Sequence, residues 1–341
     1  MAFVPFRILS RRQRNVKYAR INPRHTLSRN QSLIRQRYRF TDEHLDWLTE
    51  LLSPMLGDDT KEPWAISKKL QVMMGLRYLC TNSHENVVGD TLGCSQKTVS
   101  NIVHRVVDAL SHPSIVQRFI KIMPDDREWC RRRAAEFSRL GKFSNVIGLI
   151  DGTLVPILTP TEDGFQYMSR KGYSCLNVCV ICDAVGRILY VNCGFPGSVH
   201  DSTVWRNSTP GRMFANGDYI HGYCLLGDSG YANGEGIMTP FRPSSVREDY
   251  RKKRYNRKHS HIRCHVEMTI SRLKARFPIL NTNMRLFPEF AVKVILACAV
   301  LHNTGYCIGA WSGQRLGRTR ATMAHPPAHE RDLRNYVMQH L

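Results

Sequence analysis

The chain has 341 residues, enough for two domains of ordinary size. Hydrophobic residues make up 42% and charged residues 23%, a globular balance that excludes wholesale disorder, collagen and coiled coil. The longest uncharged apolar run, Val294 to Leu301, falls far short of the roughly 20 residues of a membrane-spanning helix, so no membrane partner is expected. Lys and Arg number 49 against 28 Asp and Glu, a net charge of +21, and a surface of that sign attracts polyanions, nucleic acid first among them.

Residues 1–40 hold eleven Lys or Arg and no acid, leaving 38 basic against 28 acidic residues elsewhere. Apolar residues there show no sustained period. The segment reads as a flexible basic arm for phosphate contact or nuclear import; a mitochondrial transit peptide has a similar composition. The eleven cysteines are scattered and odd in number, and read as reduced thiols of cytosol or nucleus. Cys175, Cys179 and Cys182 lack the spacing of a zinc knuckle and fall on a strand-like stretch, so they read as core thiols.

Residues 41–140 read as helical. Thr41 caps a first helix whose Leu45, Leu48, Leu51 and Leu52 share a face. Ser67 caps a second, with Leu70, Met73, Met74, Leu76 and Tyr78. Glu85 to Arg105 then has the pattern of a helix-turn-helix. Gly93 takes the turn, where a positive φ suits Gly, and Gly89 lets the helices approach. Val88, Leu92, Val99 and Ile102 fill the space between them, and Ser95 caps the second helix. Gln96, Lys97, Ser100 and Asn101 stay polar and outward, as side chains that read base edges and phosphates do. An ordinary helical hairpin has the same pattern. The charged stretch Pro124 to Arg133 reads as a link.

A second domain is expected over 143–305. Asn145 to Ile157 is a buried strand carrying Asp151 before Gly152. An acid there is costly unless it holds a cation or a strong partner, which makes Asp151 a candidate metal ligand, with a turn Asp as the alternative. Asn177 to Asn192 is a hairpin whose corner Asp183 serves. Asp201 opens a short helix, either as an N-terminal acid or as a carboxylate facing the same pocket as Asp151. Gly222 to Tyr231 repeats the first pattern around Asp228. Arg263 to Phe277 is amphipathic, with Glu267 beside its apolar stripe and Lys274 two turns on. Two strand-end carboxylates and one helical carboxylate suit a pair of Mg²⁺ or Mn²⁺ ions about 3.5–4 Å apart acting on a phosphodiester. Between the last two acids lies a basic run with Arg251, Lys252, Lys253 and Arg254 at its centre. Its composition suits a phosphate backbone, with Tyr250 and Tyr255 as rings for bases, or a solvated helix or loop. Residues 306–341 read as a tail.

Six motifs follow in order: Asp151-Gly-Thr, Asn177 to Asp183, Pro196-Gly-Ser-Val-His-Asp201, Leu226-Gly-Asp228-Ser-Gly-Tyr231, Val266-Glu267 with Leu273 to Phe277, and Leu296 to Asn303. Together they resemble the PIF/Harbinger superfamily of DDE transposases and the Harbinger transposase-derived nuclease, over roughly Asp42 to Asn303. The resemblance implies an α/β fold, an RNase H-like mixed sheet flanked by helices, preceded by a helical helix-turn-helix domain. It implies a divalent-metal nuclease with Asp151, Asp228 and Glu267 as catalytic acids, and these with Asp201 as ligands of Mg²⁺ or Mn²⁺. It also implies DNA as substrate, strand transfer in a full transposase, a nuclear location (cytoplasm being the alternative) and a Myb-like DNA-binding partner. A homo-oligomer is compatible with the sequence. Lys274 and Arg276 are expected at phosphate or as solvated charges. A domesticated DNA-binding or scaffold protein without turnover, and an RNA-processing nuclease, are the alternative functions.

Overall fold

A computed structural model describes residues 31–57, 65–141, 143–234, 236–247 and 249–311. The expected basic arm up to residue 30 and the expected tail from residue 312 lie outside the described residues.

Helices come first: α1 (Gln31–Tyr38), α2 (Asp42–Leu52), α3 (Lys68–Leu79), α4 (Glu85–Leu92), α5 (Gln96–Leu110), α6 (Pro113–Phe119) and α7 (Arg127–Gly141). Thr41 and Ser67 cap α2 and α3 as their hydroxyls accept from the His44 and Leu70 amides. Gly93 ends α4 at φ 66°, and Ser95 caps α5 through the Thr98 amide. Two expectations change. Gln31–Tyr38, placed in the arm, is a helix with Ile34 and Tyr38 buried. The charged link is the start of α7, because Trp129, Cys130, Ala134 and Phe137 are spaced to bury one face despite the surrounding arginines.

The sheet follows: β1 (Val146–Pro156), β2 (Cys175–Cys182), β3 (Ile188–Pro196), β4 (Cys224–Leu226) and β5 (Ile237–Met238), with short helices α8 (Asp201–Arg206) and α9 (Thr209–Asn216) between β3 and β4. The strand order is β3-β2-β1-β4-β5. β1–β2 and β2–β3 are antiparallel, and β1–β4 and β4–β5 parallel, so this is a mixed sheet. After α10 (Pro243–Val246), the long α11 (Tyr250–Arg276) lies along β1 and β2, and α12 (Pro288–Cys307) packs on β3.

Side chains alternate across a strand, which divides the core in two. Leu149 and Val155 join Val178, Val180 and Cys182 beneath α11 and α12. Ile147 and Ile150 join Cys179, Ile181, Val204, Trp205 and Phe214 on the other side. The first cluster runs without interruption from Ile34 to Ala310, so the N-terminal helices and the sheet share one core across the boundary expected near residue 140. α12 joins them, packing on α5 as well as β3. It is also the one helix among the described residues apolar and long enough to cross a membrane, and it is spent here on the interior. Cys175, Cys179 and Cys182 are buried along β2, where burial pushes the Cys179 thiol up to about 12.

Asp183 shows how the hairpin corner is fixed. Its Oδ1 accepts the amides of Val185, Gly186 and Arg187, at 2.9, 2.9 and 2.8 Å. Its Oδ2 accepts from Arg133 at 2.9 Å and Arg187 at 2.7 Å. The carboxylate is fully buried and tied to both α7 and its own turn. Asp183→Ala leaves two cations and three amides without their acceptor, and is expected to lower unfolding free energy by about 3–5 kcal/mol in a urea titration, with Asp183→Asn costing less.

Candidate active site

The parallel pairing of β1 with β4 sets the first two acids. Leu149 is in register with Leu226. Two residues further on, with the same side-chain parity, Asp151 and Asp228 come level on the α11 side of the sheet. Asp151 is half-buried, with Oδ1 accepting the Gly152 amide at 2.9 Å. Asp228 ends the strand in a turn where its Oδ1 accepts the Gly230 amide, also at 2.9 Å. Behind it, His259 of α11 reaches the Met238 carbonyl at 3.3 Å, and burial pushes its imidazole down to about 4, so at neutral pH it is an uncharged prop.

Glu267 comes from α11. Its side chain is 51% exposed, at the rim of the site and not beneath it. Arg263, one turn earlier, links it to the sheet: its guanidinium bonds to the Glu267 carboxylate and reaches Asp151 Oδ2 at 3.4 Å. The sequence names Arg263 only as the start of the amphipathic stretch. Its (i, i+4) spacing from Glu267 was the signal available.

Burial pushes the Asp151 carboxyl up to about 6; Arg263 and the Gly152 amide oppose the rise, and the charges of Asp228 and Glu267 add to it. Asp151 therefore lies within electrostatic reach of both other acids. Their donor set is oxygen only and carboxylate only, the chemistry that hard divalent cations take, and a half-buried carboxyl held above its ordinary range gains from a nearby cation. Among the described residues no three His, Cys, Asp or Glu side chains form a ready-made cage, and Arg263 stands between two of the acids. Asp201 approaches β1 from the other face: its carboxylate sits over Gly152, the residue after Asp151, and accepts from Asn177 Nδ2 at 2.7 Å.

The DNA-facing candidates divide. Gln96, Lys97 and Asn101 are exposed on the first turns of α5, with Ser100 half-buried. The basic run is helical, continuous with the helix bearing Glu267, and Arg251, Lys253 and Arg254 are exposed on it. Lys252 is half-buried, paired with Asp249 at 3.7 Å and lying over the Phe241 ring. Tyr250 is 72% exposed, but Tyr255 is fully buried, with its hydroxyl on the Thr239 carbonyl. Tyr255 is therefore a core ring and not a stacking platform, because it falls on the apolar stripe with His259 and Ile262. Lys274 is likewise spent inside: its Nζ donates to the Leu154 carbonyl at 2.7 Å and staples α11 to β1. Arg276 bonds to His302 and lies 4.1 Å from the Trp311 ring, so it too is held by the fold.

Residues 150–303 match the model of the DDE superfamily endonuclease family. A human protein named "Putative nuclease HARBI1" is 31% identical over 298 residues, 86% of this chain and 82% of its own length. The chain belongs to the Harbinger-derived nuclease family. A Xenopus laevis member of that family is 30% identical, over 78% of this chain and 76% of its own. A more distant relative, the Arabidopsis thaliana "Protein ALP1-like", is 25% identical over 72% of this chain and 62% of its own. No solved structure matches. The endonuclease match takes in Asp151, Asp201, Asp228 and Glu267.

Asp151 makes a pH prediction. A folded-state carboxyl raised from 3.8 to about 6 adds stability below 3.8 that is lost as pH climbs through about 6. In chelator the melting temperature is expected to fall over that window, and Asp151→Asn to flatten the fall. Arg263→Gln removes a cation that opposes the rise, so it should extend the fall to higher pH.

Proposed function

We propose that this protein is a nuclear, divalent-metal-dependent DNA endonuclease of Harbinger type, built on an RNase H-like sheet. The observation that carries the reading is the in-register pairing that sets Asp151 level with Asp228, with Glu267 joined to Asp151 through Arg263. The three carboxylates would hold Mg²⁺ or Mn²⁺, which when bound supplies an activated water and stabilises the attacking and leaving oxygens of a phosphodiester. Asp151, from its half-buried place on β1, and Asp228, from its strand-end turn, are oriented by backbone amides before any cation arrives. Glu267, at the rim, is the acid free to adjust. Arg263 neutralises Asp151 and Glu267 while they stand together, and its guanidinium is a donor suited to phosphate once it leaves them.

DNA is held apart from this centre. Gln96, Lys97 and Asn101 present a polar turn of the kind that enters a major groove, and the exposed cations of α11 lead along the same helix to Glu267. Cutting leaves a 3′-hydroxyl; in a full transposase that hydroxyl attacks target DNA at the same site, and a Myb-like protein assists in finding the ends. A scaffold without turnover is the second reading, favoured by one observation: Arg263 already satisfies two of the three acids.

Plasmid nicking in Mn²⁺ decides between them. The wild type is expected to nick, and Asp151→Ala and Glu267→Ala to lose about 100-fold or more. Nicking retained by both variants would refute the assignment. In filter binding, Lys97→Ala should weaken affinity evenly across DNA sequences and reduce the salt slope by about one, as loss of a phosphate contact does; an unchanged slope would remove α5 from the interface.

A further inference from the structure

Asp201 meets β1 from the face opposite the Asp151 side chain, and its surroundings give it a different task. Past the bulge at residues 146–148, Leu149 and Val155 of β1 belong to the core under α11 and α12, whereas Ile150 belongs with Cys179, Val204, Trp205 and Tyr231. By the same alternation Asp151 faces α11, where Arg263 meets it, and Gly152 faces Trp205. Asp201 covers Gly152 on that second face. A Cβ added at Gly152 would come within 2.6 Å of the Asp201 carboxylate, so only Gly permits the contact. The backbone of β1 lies between Asp201 and the Asp151 side chain.

Two buried groups complete this niche. Asn177 is 3% exposed, and its Nδ2 donates both to Asp201 Oδ1 at 2.7 Å and to the Val199 carbonyl at 2.8 Å. Both partners are acceptors, which fixes the orientation of the amide. Its Oδ1 is then buried without a hydrogen-bond partner among the described residues. The hydroxyl of Tyr231, which is 4% exposed, has the Cys179 thiol, a weak partner, beside it. Cys179 pairs with Gly152 across the sheet, and Asn177 is two residues along the same face of β2, so the Asn177 oxygen and the Tyr231 hydroxyl both belong to the space around Asp201. The Tyr231 amide donates to the Asp228 carbonyl at 3.3 Å, so this residue runs from the turn that carries Asp228 to the rear of β1. A buried polar atom without a partner costs free energy, and a fold that keeps the Asn177 oxygen in that state beside a carboxylate, with a tyrosine hydroxyl bonded only to a thiol, points to a use.

We propose that Asp201 is a positioning residue and not a metal ligand: with Asn177 and Tyr231 it clamps the Gly152 peptide from behind and holds Asp151 level with Asp228. The inference rests on the three-carboxylate reading above. It separates two properties of the side chain. A ligand needs the negative charge of the carboxylate. A clamp needs its shape and its Oδ1 acceptor, which an amide retains.

Mn²⁺ titration of the full chain by calorimetry, without substrate, tests this. Asp151→Asn is expected to weaken binding about tenfold or more, Asp201→Asn to stay within about twofold of wild type, and Asp201→Ala to lose about tenfold. Rescue by the amide is the signature, since loss of a ligand charge would make Asn as poor as Ala. Tyr231→Phe should weaken Mn²⁺ binding several-fold while its melting temperature stays close to wild type, because the hydroxyl gives up only a weak bond to a thiol. Asp201→Asn weakening Mn²⁺ as much as Asp151→Asn would overturn the proposal, and so would a Tyr231→Phe variant that binds as wild type does. If Asp151→Asn itself left Mn²⁺ binding unchanged, the carboxylate reading would fall, and this inference with it.

Discussion

The parallel pairing of β1 with β4 is the constraint on which the rest depends. It is short, with Leu149 against Leu226 as its last aligned pair, yet it determines that two acids far apart in the chain end level on one face. A slip of one residue would send either acid to the opposite face, because side chains alternate with period two. The register is protected by burial on both sides. Leu149 and Leu226 enter one core while Ile150 and Leu225 enter the other, so a slipped strand would mispack both cores and drive Asp151 to the apolar side of the sheet.

α11 serves the site in two ways, and its length is the reason. Its 27 residues carry an exposed basic half and a half that packs on β1 and β2. Tyr255, His259, Ile262, Val266 and Ile270 follow helical spacing down the buried side. That anchoring fixes the stretch of backbone from which Glu267 reaches the rim, and it carries the cations of Arg251, Lys253 and Arg254 on the same helix. Lys274, whose ammonium meets the Leu154 carbonyl, ties the far end to β1. The exposed cations and Glu267 thereby belong to one helix, and Arg263 sits between them.

Much of the local structure was written in the residues themselves. Thr41, Ser67, Gly93 and Ser95 act within one turn of their own helix ends, and Asp183 acts within its own hairpin, so short-range chemistry was enough to read them. The ordered motifs around Asp151, Asp228 and Glu267 gave the family. The misreadings have a common cause. Tyr255, Lys274 and Arg276 look like surface groups by composition, but they point to partners far along the chain: Thr239, Leu154 and the His302–Trp311 pair. The charged stretch from Pro124 looked like a link because four apolar residues were enough to bury one face of α7.

Sequence by itself determined the type of protein: a basic globular chain with a polar second helix, three carboxylates at strand ends and on an amphipathic helix, and the motif order of the Harbinger family. Only the tertiary structure decided how those parts divide. It joined the N-terminal helices and the sheet into one core through α12, set Arg263 between Asp151 and Glu267, and put Asp201 behind Gly152. The physical reason is that spacing along a chain fixes which face of its own element a side chain occupies. Which neighbour lies across that face depends on strand register and helix packing, and these are settled by contacts between residues a hundred or more positions apart.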